Sequence, residues 1–224
     1  LNAGQTCVAP DYLLIQRSVK DRLVSELKKQ FETMLGNDPL HNPDFVRIIN
    51  RKHFDRLLGL LEGEPLLCGG RSRADDVSGW IEPTLVDVSD PESCKPMQEE
   101  IFGPILPVIS YDTLDEAIAF VNARPKPLAL YLFTKNKRVK EQVLRRCSYG
   151  GGCINDTIIH LATHEMPFGG VGNSGMGGYH GRFSFDTFSH TKSIVDKACW
   201  IDMPLRYFPY SRKLYDKMIH FFMR

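Results

Sequence analysis

Apolar residues early in the chain recur at helical spacing. Val19, Leu23, Leu27, Phe31 and Leu35 fall every four residues behind a Ser18/Asp21 pair that reads as a capping box, and Gly36-Asn37-Asp38-Pro39 predicts the stop. Phe54, Leu57, Leu58 and Leu61 mark a second helix, closed by Gly63 and Pro65. Shorter apolar runs at 11–15, 66–68, 84–88 and 104–111 are strand-sized, and the Arg/Asp-rich stretch 69–78 reads as a loop. Thr113 and Glu116 cap a helix through Ala117, Ile118, Phe120 and Val121. A strand follows at 128–133, then a helix opened by Asn136 that carries Val139, Val143 and Leu144 and ends at Gly150-Gly151-Gly152; Cys153-Ile154-Asn155 reads as one more strand. Strands separated by helices predict an α/β fold with a mostly parallel, helix-covered sheet. Residues 184–190 alternate apolar with polar, a strand signature without a following helix. Residues 214–224 predict a short helix with Leu214, Met218, Ile219 and Phe222 on one side.

Composition narrows the partners. Among 224 residues, Lys and Arg number 28 and Asp and Glu 27, a net charge of +1, which removes the electrostatic case for nucleic acid as main partner. Hydrophobic residues at 42% suit a closed core. No apolar run approaches the ~20 residues of a spanning helix, so no transmembrane segment is expected. The first residues carry no initiator Met and no basic-then-apolar leader, so nothing marks secretion; they read as the middle of something, a fragment of a longer protein or a truncated gene product. Cys7, Cys68, Cys94, Cys147, Cys153 and Cys199 are scattered, without metal spacing, and read as reduced thiols of a cytoplasmic protein.

Three segments could carry chemistry. Gly170-x-Gly172-x-x-Gly175 fits the dinucleotide fingerprint formally, but Met166-Pro167-Phe168 precedes it and Gly177, Gly178 and Gly181 oppose a following helix. It reads better as a close-packed loop. Cys7 lies in a polar, glycine-flanked turn, where a thiol is reachable and its own amide can face a developing oxyanion; a buried structural thiol is the alternative. Gln98-Glu99-Glu100-Ile101-Phe102-Gly103-Pro104 places Glu100 and Phe102 on one side of extended chain. There a carboxylate can accept from sugar hydroxyls while a ring packs a planar base; a solvated acidic turn is the alternative. Cys153, beside the 150–152 glycines, could line a cavity. His160, His164, His180 and His190 lack an acid at metal-ligating spacing, which favours packing roles.

Together these segments resemble the aldehyde dehydrogenase superfamily, in its class 3 branch of fatty-aldehyde and coniferyl-aldehyde type enzymes. The matching residues are Asn2-Ala3-Gly4-Gln5-Thr6-Cys7-Val8-Ala9-Pro10-Asp11-Tyr12, the 98–104 segment, Lys126-Pro127-Leu128-Ala129-Leu130-Tyr131 and Asn155-Asp156. They continue through Met166-Pro167-Phe168-Gly169-Gly170-Val171-Gly172-Asn173-Ser174-Gly175-Met176-Gly177, Tyr179-His180-Gly181 and Phe185-Asp186-Thr187-Phe188-Ser189-His190. The resemblance implies oxidation of an aldehyde substrate with NAD or NADP. Cys7 would be the nucleophile forming a thiohemiacetal and then a thioester, Glu100 the carboxylate on the nicotinamide-side ribose, Phe102 the ring beside it, and Phe168 a substrate-wall aromatic.

It also implies an architecture: residues 1–181 as catalytic α/β domain, and 182–224 as a bridging, oligomerisation strand and tail, with a homodimer at full length. The family's amino-terminal Rossmann domain, with the oxyanion-hole Asn and the general-base Glu, has no counterpart in this chain. The expectation is therefore a catalytic half, inactive alone. Two other readings remain at this point: a cysteine hydrolase or acyltransferase pairing Cys7 with a histidine, and a non-catalytic dimerising remnant.

Overall fold

The computed structural model describes residues 1–202, 206–208 and 212–222, which form two compact units, 1–188 and 189–224. In the first, strands β1 (Leu13–Gln16), β2 (Leu66–Cys68), β5 (Thr84–Val88) and β6 (Ile105–Tyr111) form one sheet in the order β1-β6-β5-β2. β6 runs parallel to both β1 and β5, and β2 is an antiparallel edge. A separate parallel pair joins β7 (Ala129–Leu132) to β8 (Gly151–Ile154).

The two faces of the larger sheet follow the period of two. Val86 and Val88 of β5 and Ile105 and Ile109 of β6 meet Phe54, Leu57 and Leu60 of helix α2 (Arg51–Leu61). The intervening Leu85 and Val108, with Ile15, meet Val24, Leu23, Leu27 and Phe31 of helix α1 (Lys20–Leu35). Phe54 and Leu57 are fully buried, each worth about 1.5–3 kcal/mol relative to exposure. Helices α3 (Leu114–Asn122) and α4 (Lys137–Arg146) share a third cluster with β7, built on Ile118, Val143 and Leu130.

Local signals were realised unevenly. The Thr113 hydroxyl accepts from the Glu116 amide, and the Asn136 side chain accepts from the Arg138 and Val139 amides, as capping chemistry predicts. The expected Ser18/Asp21 box does not form: a 3-10 turn at Arg17–Val19 leads straight into α1, whose N-cap is Val19 without a side-chain cap. The 69–78 loop holds most of a hairpin, β3 (Ser72–Ala74) against β4 (Gly79–Ile81). Asp75 closes its turn by accepting from the amides of Val77 and Ser78. Gly151 and Gly152 do not end α4, which stops at Arg146; they belong to β8. A Cβ on Gly152 would lie 1.9 Å from the Leu130 carbonyl oxygen, so β7 and β8 can pair this closely only at glycine.

The largest correction concerns the expected strand at 184–190 within the proposed 182–224 bridging segment. Gly181–Thr187 is a helix, α5. A strand needs a ladder partner for its amides, whereas here the backbone bonds locally: Ser184 Oγ accepts from the His180 amide, and the Phe188 amide returns to the Ser184 carbonyl. In the second unit, α6 (Arg212–Phe222) is helical as expected; Met223 and Arg224 lie outside the described residues.

Candidate active site

Cys7 sits in the turn between a 3-10 element at Asn2–Gly4 and β1, and its side chain is exposed. The turn is built tightly. Asn2, Ala3 and Gly4 all have positive φ. The Gln5 side chain donates to the carbonyls of Asn2 and Arg47 and accepts from the Ile49 amide, tying the turn to the chain before α2. Val8 is buried behind Cys7, and its carbonyl accepts the Tyr131 hydroxyl of β7 at 2.7 Å. The Cys7 N–H makes no hydrogen bond with another described residue, which leaves it available to an oxyanion.

The 98–104 segment lies directly against this turn. A Cβ on Gly4 would meet the Gly103 carbonyl oxygen at 2.2 Å, so the two backbones touch. Asp11 makes a second tie, accepting from the Ile101 amide at 3.0 Å. Arg56 of α2 holds the segment from its other side: it pairs with Glu99 at 2.8 Å and donates to the carbonyls of Glu100 and Ile101. Glu99 is thereby diverted to Arg56, while Glu100 and Phe102 are exposed, Phe102 at φ +54°. Burial pushes the Asp11 carboxyl above the usual carboxylate range, against the lowering effect of its Ile101 hydrogen bond, and the nearby Glu100 charge raises it further.

Phe168 is reached from another direction. Its backbone exchanges two 2.9 Å hydrogen bonds with Tyr179, closing the glycine loop at its base. Inside that loop, a Cβ on Gly169 or Gly170 would fall within 2.3 Å of the carbonyl oxygens of Gly177 and Ser174 respectively. The glycines thus let backbone pack on backbone. A helix does follow the loop, contrary to the expectation that Gly181 would oppose one: Gly181 is the first residue of α5, six residues beyond Gly175. The Phe168 side chain is nearly buried in a ring cluster with Tyr179 (5.4 Å between centroids), His160 (6.1 Å) and His180 (6.1 Å).

Sequence reasoning missed Arg56, Asp11 and the pair formed by Cys153 and His160, whose Sγ and Nδ1 lie 3.5 Å apart. Arg56 leaves no signal beyond a polar position on an amphipathic helix. Among the described residues no histidine hydrogen-bonds Cys7; the cysteine–histidine contact falls on Cys153 instead.

A family model described as the aldehyde dehydrogenase family matches residues 1–194. The chain belongs to the aldehyde dehydrogenase family. The 4,4'-diaponeurosporen-aldehyde dehydrogenase of Staphylococcus aureus is 50% identical to it over 214 residues, which cover 95% of this chain and 46% of that protein. A bovine dimeric NADP-preferring aldehyde dehydrogenase is 48% identical, covering 87% of this chain and 80% of that sequence. A solved structure of Staphylococcus aureus AldH in a substrate-bound state superposes with a TM-score of 0.89 at 48% identity, over 99% of this chain and 48% of that one. This aldehyde dehydrogenase chain spans about half the length of the first relatives it matches.

Proposed function

We propose that the protein carrying this chain oxidises aldehydes to carboxylic acids with NAD or NADP, with Cys7 as the attacking thiol. One observation carries the reading: the turn bearing an exposed Cys7 is held backbone to backbone against the segment that presents Glu100 and Phe102. The Cys7 sulfur, as thiolate, adds to the aldehyde carbon, and the carbonyl π pair moves to oxygen. The free Cys7 N–H then donates to that oxyanion. An aldehyde carbon gives up hydride readily only from such a tetrahedral alkoxide, which is why the nucleophile must act first.

Glu100 and Phe102 fit a nicotinamide cofactor. A carboxylate free of the Arg56 pair can accept from vicinal ribose hydroxyls, and an exposed ring fixed by a Gly-Pro turn can pack a planar heterocycle. When bound, that cofactor supplies a hydride acceptor. The acyl group is then carried on the Cys7 sulfur as a thioester, from which water releases the acid and restores the thiol. Phe168 would line the aldehyde's path. Names among the relatives, one of them dimeric and NADP-preferring, support NAD or NADP as cofactor and a homodimer at full length. In a protein of the family's length, aldehyde-dependent cofactor reduction by the parent and its loss in Cys7→Ser tests the reading; a serine variant that keeps the activity overturns it.

A further inference from the structure

A second thiol is set up beside the first. Tyr131 and Cys153 are direct partners in the β7–β8 ladder, so their side chains leave the same face. After β8 the chain turns back through two residues at positive φ, Asn155 (+60°) and the β-branched Ile158 (+66°), and so lays His160 over that face. Its ring stands edge-on to Tyr131 at 5.8 Å and packs above Gly151, where a Cβ would meet its Cδ2 at 3.1 Å. The result is the 3.5 Å contact between His160 Nδ1 and Cys153 Sγ, with His160 Nε2 buried and unpartnered.

We propose that Cys153, with His160 as its base, is a reactive thiol distinct from Cys7 and a modification site for small, uncharged disulfides. Burial lowers the proton affinity of His160, so at neutral pH the ring is neutral and Nδ1 can take the S–H proton. The Cys153 sulfur attacks one sulfur of the disulfide, a new S–S bond forms as the old one breaks, and the departing thiolate recovers the proton from His160. Cys153 is oxidised, the departing sulfur is reduced, and no other oxidant is needed. The aromatic walls of Tyr131, His160 and Phe168 favour a neutral reagent over a charged one.

The chain carries its own control. Cys68 is comparably half-buried and its thiol is pushed up by burial, but it has no imidazole partner among the described residues. The 224-residue chain is treated at neutral pH with 2-hydroxyethyl disulfide, quenched with acid, and mapped by peptide mass. Cys153 should gain the hydroxyethylthio group at least about tenfold faster than Cys68, and His160→Gln should remove that advantage while leaving the Cys68 rate unchanged. Cys153 reacting no faster than Cys68 overturns the proposal, as does an unaltered Cys153 rate in the glutamine variant. Should that variant unfold, the buried Cys94 and Cys147 would accelerate with the rest, and the parent's Cys153-to-Cys68 ratio alone decides. Modification at Cys7 is read on a separate peptide, so this outcome is independent of the role given to Cys7.

Discussion

Gly4 and Gly103 touch through their backbones: a Cβ on Gly4 would stand 2.2 Å from the Gly103 carbonyl oxygen. That contact joins the Cys7 turn to the Glu100–Phe102 segment across nearly a hundred residues of sequence. No side chain at position 4 allows it, because the left-handed φ of +74° and the close approach act at the same residue.

Gly4→Ala separates these two demands when compared with Gly36→Ala. Gly36 has nearly the same φ, +75°, but nothing lies within 4 Å of its added Cβ. Gly36→Ala should lose about 1–2 kcal/mol in urea unfolding, the strain of the left-handed backbone. Gly4→Ala should lose at least about 2 kcal/mol more, because backbone must shift. Equal losses would mean that the contact carries no stability.

Tyr131→Phe removes the hydroxyl that donates to the Val8 carbonyl. Leaving that carbonyl unpaired should cost about 1–3 kcal/mol of stability. The Cys7 turn should loosen too, read as a changed rate of Cys7 alkylation by iodoacetamide with the Cys147 rate constant.

Asp11 gives a pH dependence of defined sign. Its folded-state affinity for a proton exceeds that of the unfolded chain, chiefly through burial. The folded state therefore binds more protons above the ordinary carboxylate value, and stability falls as pH rises through the window from there to the raised pKa. Asp11→Asn keeps an oxygen for the Ile101 amide and removes the charge. It should flatten that fall, making the variant more stable relative to the parent at neutral pH than at pH ~3.5, below the ordinary aspartate value; thermal midpoints at the two pH values check it.

The 224-residue chain alone should not sustain turnover. Its candidate cofactor contacts are Glu100 and Phe102, and its glycine motif sits in a loop that backbone packing already fills. Absorbance of reduced nicotinamide, followed after mixing the pure chain with NAD and an aldehyde, should stay flat; a steady rise would show that these residues suffice.

Much of the fold was legible because single segments decide it. The spacing of Leu23, Leu27 and Phe31, and the alternation of Leu85 with Val86, place α1 and α2 on opposite faces of the sheet. Cys7, Glu100 and Phe102 could be singled out as candidates from their local chemistry together with the family resemblance. What joins them was not, since Arg56, Asp11 and the Gly4–Gly103 contact depend on segments meeting in three dimensions. The 184–190 alternation misled for a related reason: period two describes a strand only where a neighbour supplies the ladder, and α5 satisfies its own amides. The Cys153–His160 pair was hidden because a turn at positive φ, on residues that rarely adopt it, folds the histidine back.

The most direct measurement locates the acyl group. A protein of the family's length is mixed with an aldehyde and NAD or NADP, quenched in acid within one turnover, and its cysteine peptides are weighed. The account requires the mass of the acid's acyl group on the peptide containing Cys7, absent when cofactor is withheld. An acyl group found on Cys153 or any other cysteine, or cofactor reduction with Cys7 unmodified throughout, would contradict it.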